Sequence, residues 1–410
     1  MNPTDDSFHG DSIAEFYDRH PYPPPRTDLD AYQERWRDPE RRRVEHYLHF
    51  PRIPFRKDPD VLVAGCGTFQ AAQHALRWPQ GRVVGIDVSN ASLQHTADLK
   101  QRYNLDNLEL RQLSIERVAD LGRDFDLIVS TGVIHHLADP GVGLQALANV
   151  LNADGAINLM VYARYGRQGI SMMQDYGRLL GIGAADVHDL TETLAELPGD
   201  HPIVPLLRRS PDFGNADALA DALLNPREQV YSVPGLLDLM GKSGLALGRW
   251  YRQAPYLPDC GFPAKSPHRK LLLDLPPSEQ FAAMELLRGS MTRHTVIAHI
   301  AGGRSDDDRS GLAASSWKEM VPIRLPNTIL VTERVPPGAA AVLINQAHTH
   351  TDLILPITAP EKRVFEQIDG NRSIADTGAA AGTNPPELRR LYTRLWKCDQ
   401  VVFNNSIRQR

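Results

Sequence analysis

Residues 61–70 read Val61-Leu62-Val63-Ala64-Gly65-Cys66-Gly67-Thr68-Phe69-Gln70, and residues 83–89 read Val83-Val84-Gly85-Ile86-Asp87-Val88-Ser89. The first run is a short apolar strand broken by glycines. The second is another strand, ending in an acid. Between them lies a stretch with helical character, so the whole is a βαβ unit. Asp87 follows Gly67 by 20 residues. At about that distance a nucleoside-binding unit places a carboxylate that accepts hydrogen bonds from ribose hydroxyls. Gly65 and Gly67 let the chain turn sharply and let a ligand come close. A dinucleotide fingerprint would require a third glycine at position 70, where this chain has Gln70. An adenosine-containing ligand other than a dinucleotide is therefore the first expectation.

Strand and helix alternate outward from this unit. Further strands are expected at Leu108–Leu113, Phe125–Ser130 and Ala156–Tyr162, with helices filling residues 69–78, 91–103 and 141–150. Short apolar runs alternating with helical stretches predict a doubly wound, mainly parallel α/β sheet covered on both faces. Its ligand crevice lies at the carboxyl ends of the strands.

The motif Asp124-Phe125-Asp126-Leu127-Ile128-Val129-Ser130-Thr131-Gly132-Val133-Ile134-His135-His136-Leu137 closes the fourth strand. With Val61–Thr68, Val84–Ser89 and the loop Asn152-Ala153-Asp154-Gly155-Ala156, it resembles the class I S-adenosylmethionine-dependent methyltransferases. The N-terminal arm and the helical stretch after the fifth strand also resemble those of large bacterial members of unassigned substrate. The resemblance implies a Rossmann-like methyltransferase domain using S-adenosyl-L-methionine and acting on a small-molecule methyl acceptor, of the kind found in specialised metabolism. It implies that Gly65 and Gly67 lie against the methionine and ribose, Asp87 on the ribose hydroxyls and Val88 beside the adenine. Ser114 and Ile115 would flank the adenine, and Thr131 and Gly132 would face the methionine end. His135 and His136 would stand near the acceptor, with His135 the candidate general base. Three positions depart from the pattern: Val63 replaces an acid, Phe69 replaces a glycine, and Ser114 replaces an acid that reads the adenine.

Around this domain the chain divides into four parts. Residues 1–57 read as an N-terminal lid, with an extended proline-rich arm, Phe16–Arg26, and a basic helix over 31–49. Tyr17 and Tyr22 on the arm are candidates to close over the cofactor. Residues 58–300 form the methyltransferase domain, with a helical insert at about 165–222 that caps the acceptor. In this region Tyr162, Arg164, Tyr165 and Arg167 suggest a wall for the acceptor or a solvated helix start. Residues 301–312 are a charged linker, and 313–410 a small α+β domain resembling a winged helix, with helices near 360–369 and 385–397.

Bulk properties narrow the function. The 410 residues carry a net charge of −5 and 42% hydrophobic residues, which suits a packed multidomain protein and makes a nucleic-acid partner unlikely on charge grounds. No apolar run is long enough for a membrane span, and the polar N-terminus has no signal-peptide core, so a cytoplasmic setting is expected. Cys66, Cys260 and Cys398 are far apart in sequence and make no metal-ligand pattern. His348, His350 and Asp352 alternate as on a strand face, and read as a surface strand in preference to a metal clamp. Homo-oligomerisation is compatible with the sequence. Two alternatives stay open: a non-catalytic cofactor-binding scaffold, and a methyltransferase for protein or RNA recruited by residues 313–410.

Overall fold

The computed structural model describes residues 11–183, 186–209, 215–302 and 310–406. Residues 1–10 and most of the charged linker, including Asp306–Asp308, lie outside the described residues. Close packing groups the chain into two compact units. One takes in residues through Arg37, Lys57–Leu245 and Gly289–His294; the other takes in Asp38–Arg56, Ala246–Arg288 and the residues from Thr295 onward.

The central sheet has seven strands: β1 (Asp60–Ala64), β2 (Arg82–Asp87), β3 (Leu108–Gln112), β4 (Phe125–Thr131), β5 (Leu151–Tyr162), β6 (Leu245–Trp250) and β7 (Arg293–Ile300). Their order is β3-β2-β1-β4-β5-β7-β6, and the pairings among β1 to β5 are all parallel. Val61, Leu62, Val63 and Ala64 are each 0% exposed, so β1 is covered on both faces. That explains its unbroken apolar run, where a half-exposed strand would alternate. The strand order reverses beside β1, with β2 on one side and β4 on the other. A crevice opens there at the carboxyl ends, and the ligand crevice of such sheets lies at this point.

The arm departs from its expected extended form. Residues Asp11–Arg19 form a helix, α1, and the chain becomes irregular only from His20. The prolines begin at Pro21, so the preceding residues keep every donor a helix needs. Helix α2 (Asp30–Arg37) follows, and α3 (Pro39–His49) belongs to the second unit. Helices α4 (Gln70–Arg77) and α5 (Asn90–Arg102) cross between the first three strands, and α6 (Pro140–Asn149) precedes β5. Ser89 caps α5 by accepting from the Ser92 amide at 3.1 Å.

The insert is helical, as its periodicity predicts. Helices α7 (Gln168–Leu180), α8 (Val187–Ala195), α9 (Val204–Arg209) and α10 (Ala216–Leu224) bury Ile170, Met173, Leu190, Ile203 and Leu219 in one small core. Helix α11 (Val233–Lys242) is capped by Ser232, whose hydroxyl accepts from the Gly235 amide.

The second unit carries α12 (Arg269–Asp274), α13 (Pro277–Arg288), β8 (Val321–Arg324), β9 (Thr328–Val331), β10 (Ala341–Asn345), β11 (Ile354–Ile357), α14 (Ala359–Glu366), α15 (Ile374–Ala381), α16 (Pro385–Lys397) and β12 (Val401–Asn404). β9, β10 and β11 form an antiparallel sheet, and β12 pairs with β8. Leu343, Ile357, Phe365, Leu391 and Tyr392 share its core. Helix α15 was not legible from apolar periodicity, because its sequence is mostly small residues. Its start signal is a capping box, Ser373 with Asp376. Gly378 lets α15 approach α16: a Cβ there would lie 2.1 Å from Leu388.

His348, His350 and Asp352 are not on a strand. They lie in the turn between β10 and β11, and His348 is buried. Asp352 is committed to Arg288 at 3.1 Å and to the Phe262 amide at 2.9 Å. Among the described residues no group of His, Cys, Asp and Glu side chains has metal-binding geometry. No helix among them is long and apolar enough to cross a membrane.

Candidate functional site

The glycine turn after β1 is stretched around two contacts that exclude side chains. Gly65 has φ +71°, and a Cβ there would lie 2.4 Å from Val133. Gly67 has φ +54°, and its Cβ would press on the Tyr22 carbonyl at 3.0 Å. Both need left-handed backbone that only glycine adopts cheaply. The Gly67 amide donates to Asp87 Oδ2 at 2.8 Å, and the Ser89 amide donates to Oδ1 at 2.9 Å. Burial pushes the Asp87 carboxyl up, while these amide bonds hold it down. A carboxylate offers about four lone-pair sites, so two amides leave capacity for a pair of ligand hydroxyls.

A cavity of about 460 Å³ opens beside Asp87 at the carboxyl ends of β1, β2, β4 and β5. Val88, Ser114 and Ile115 line it on the β2–β3 side, and Thr131 and Gly132 line it at the end of β4. On the β5 side the lining residues are Asn158, Met160 and Tyr162. Every cofactor residue expected from the sequence lines this one cavity, Tyr17 and Tyr22 included. Thr131 Oγ1 donates to Gln70 Oε1 at 3.0 Å. Asn158 Oδ1 is buried with no hydrogen-bond partner.

The two histidines separate sharply. His135 is 0% exposed and does not line the cavity. Its ring packs 4.1 Å from Tyr162 and 4.2 Å from His136, centroid to centroid. Burial first, then the neighbouring His136 and Arg167, hold its pKa well below the usual imidazole value. The candidate base read from the sequence is thus a buried residue that does not line the cavity. His136 does line the cavity, and its Nδ1 lies 2.7 Å from the Arg227 carbonyl oxygen. A carbonyl only accepts, so Nδ1 carries a hydrogen, and in the neutral ring Nε2 carries the lone pair. Nε2 is itself buried and has no hydrogen-bond partner, and the whole residue is 4% exposed.

The arm crosses the cavity and is tied down at several points. Tyr17 donates to Asp221 Oδ1 at 2.8 Å and accepts from Asn225 at 3.0 Å. Burial and the Asp221 charge push the Tyr17 phenol well up, so it stays a donor. Asp18 Oδ1 accepts from Ser89 Oγ at 2.7 Å and from the Ala91 amide at 3.1 Å, at the positive end of α5. His20 faces Asp217 at 3.0 Å. The Pro23 carbonyl accepts from Thr68 Oγ1 at 2.6 Å.

The departures from the family pattern find physical places. Phe69 is the platform for Arg26 of the arm, whose guanidinium sits 4.6 Å from the ring centroid. Val63 is buried in the sheet beside Gly85 and Val129 and does not line the cavity. Of Tyr162, Arg164, Tyr165 and Arg167, only Tyr162, the last residue of β5, lines the cavity. Arg167 is buried, lies 3.5 Å from the Tyr162 ring centroid, and is spent on Glu228 at 2.9 Å. Gln70, Asn158, Asp221 and the Arg227 carbonyl were missed. Asp221 and Arg227 lie in or beyond the insert, and nothing local in the sequence ties them to the glycine turn.

The orphan Asn158 oxygen, the glycine cradle and the open lone pairs of Asp87 fit a nucleoside carrying a polar amino-acid tail. The comparisons agree. A family model described as a methyltransferase domain matches residues 62–157. An uncharacterised protein of Synechococcus sp. is 30% identical over 293 residues, covering 68% of this chain and 69% of that one. A malonyl-[acyl-carrier protein] O-methyltransferase of Acetivibrio thermocellus is 32% identical over 99 residues, covering 24% of this chain and 34% of the enzyme. PKMT2 from Rickettsia typhi shares the fold, with a TM-score of 0.61 at 12% identity, over 90% of this chain and 75% of that one. The chain belongs to the class I S-adenosylmethionine-dependent methyltransferases, and S-adenosylmethionine is its cofactor.

Proposed function

We propose that this methyltransferase acts on a small-molecule acceptor held on the β5 side of the cavity, and that His136, not His135, takes the acceptor's proton. The observation that carries this reading is the unpartnered Nε2 of His136 in a cavity-lining ring whose tautomer is fixed by Arg227. A cavity of about 460 Å³ sits at the small end of ligand sites, roughly 300–1,000 Å³, so the cofactor takes up much of it and only a slender acceptor fits beside it.

When bound, S-adenosylmethionine supplies a methyl group on a positively charged sulfur, already attached to a good leaving group. The residues then act by holding and by accepting a proton. In this reading Asp87 binds the ribose hydroxyls through its free lone pairs, and Gly65 and Gly67 let the backbone approach. Val88, Ser114 and Ile115 enclose the adenine. Thr131, Gly132 and Asn158 receive the methionine end, where Asn158 supplies the acceptor that Val63 no longer provides. Tyr17, Tyr22 and Tyr162 exclude water and orient the nucleophile, which supplies much of the rate in an in-line displacement. His136 Nε2 accepts a hydrogen bond from the acceptor's O–H or N–H and takes the proton as the new bond forms.

The test is incubation of the protein with methyl-labelled S-adenosylmethionine and the small-molecule fraction of a lysate. Label appearing in a low-mass product, lost on His136→Asn, supports the reading. Label found only on macromolecules sinks it.

A further inference from the structure

A second cavity, of about 870 Å³, lies wholly within the second unit. Its charge is lopsided: Arg269, Lys318, Arg389, Arg390, Arg394 and Lys397 line it against a single carboxylate, Asp259. Arg269 and Lys397 share that carboxylate at 2.8 and 2.6 Å, and Arg394 pairs with Glu361. Among the described residues no carboxylate pairs with Lys318 or Arg390. Two thiols also line the cavity, Cys260 and Cys398, with sulfurs 3.4 Å apart. Both are free. Cys260 is 1% exposed, and Cys398 is half-buried. Sequence separation hid this pair, since it joins the loop before α12 to the end of α16.

We propose that Cys260 and Cys398 are a thiol pair that small anionic disulfides oxidise to an intramolecular bridge, the cationic cavity drawing those reagents in. Cys398, the less buried of the two residues, is the attacking thiol, and its proton goes to water as it attacks. Its sulfur attacks one sulfur of the reagent; the reagent's S–S bond breaks and one thiolate leaves. Cys260 then loses its proton to water and attacks the Cys398 sulfur, and the second reagent thiolate leaves. The protein loses two thiol hydrogens as protons and two electrons, and the disulfide becomes two thiols. A cleft lined by one sign of charge raises the encounter rate of the opposite sign by about 10-fold or more. The third cysteine, Cys66, is 0% exposed and lines neither cavity, so it stays out of the reaction.

The experiment treats the full-length reduced protein with glutathione disulfide, which is anionic, and with bis(2-hydroxyethyl) disulfide, which is neutral. Peptide mapping reads the bridge, and the rate is followed by loss of free thiol. A Cys260–Cys398 link is expected, with a glutathione adduct accumulating on Cys398 in Cys260→Ser. The double variant Lys318→Glu, Arg390→Glu is expected to slow the anionic reagent about 10-fold and to leave the neutral reagent's rate unchanged. Absence of the link, an adduct on Cys66, or equal slowing of both reagents overturns the proposal.

Discussion

His136 Nδ1 lies 2.7 Å from the Arg227 carbonyl oxygen, and that one bond decides which ring nitrogen is free to act. The Arg227 carbonyl comes from the segment after the helical insert, so the insert's return path sets the tautomer of a side chain placed by β4. Substituting His136 by Asn keeps a donor for the carbonyl and removes the basic nitrogen. Turnover is expected to fall by about 10²- to 10⁴-fold, the usual worth of general-base assistance, with cofactor affinity unchanged. Steady-state rates beside calorimetric binding of S-adenosylhomocysteine check it. His135→Leu is expected to keep turnover and to keep or raise the melting temperature. It removes two buried ring nitrogens that have no partner, and each costs stability where it stands.

Asp87 has two demands on it. It holds the Gly67 amide and, in the proposed mode, the ribose hydroxyls. Asp87→Asn retains one carbonyl oxygen for the turn but loses the charge. Hydrogen bonds to a charged group contribute about 1.5–3 kcal/mol, so cofactor affinity should weaken by roughly 10- to 150-fold. The circular dichroism spectrum should be unchanged. Affinity within a few-fold of wild type would remove Asp87 from the ribose.

Stability should fall in mild acid for a reason that lies in the second unit. Burial holds His46 at about 4, below its ordinary 6.5. The folded state therefore disfavours the proton that the unfolded chain accepts below pH 6.5. The stabilising difference is whole above 6.5 and is lost as pH falls from there through about 4. His348 is likewise held at about 4 by burial and adds to the same slope. Melting temperatures measured from pH 7 to pH 4 should drop, and His46→Leu should flatten the drop even if it lowers the starting value. An unchanged slope in His46→Leu counts against this origin.

The sheet was legible because its determinants are local. Val61–Ala64 is buried on both faces and therefore apolar at every position, and Gly65, Gly67 and Asp87 are fixed by a turn and one strand end. The cavity's lining at Gly65, Gly67 and Asp87 was legible for the same reason. Its lining at the histidines was not. His136 and His135 are adjacent and chemically identical, and what tells them apart is the cavity lining and the Arg227 carbonyl on His136. Asp221 and Asn225 act through contacts about two hundred positions away from Tyr17, beyond the reach of any periodicity.

Those distant contacts give the arm its own test. Tyr17 joins α1 to α10 through Asp221, and Asp18 joins it to the start of α5. Tyr17→Phe keeps the ring against His136, 6.3 Å between centroids, but deletes the donor. Asp221 then keeps only a long bond from Tyr162, at 3.5 Å, and the weak Asn225 contact. A buried carboxylate that loses its best donor costs about 1–3 kcal/mol or more. The arm should open more often, and limited proteolysis within residues 20–29 should speed up several-fold. Adding S-adenosylhomocysteine should restore protection in the wild type and only partly in Tyr17→Phe. Equal protection in both proteins would show that the arm is held by Asp18 and the Thr68–Pro23 bond without help from Tyr17.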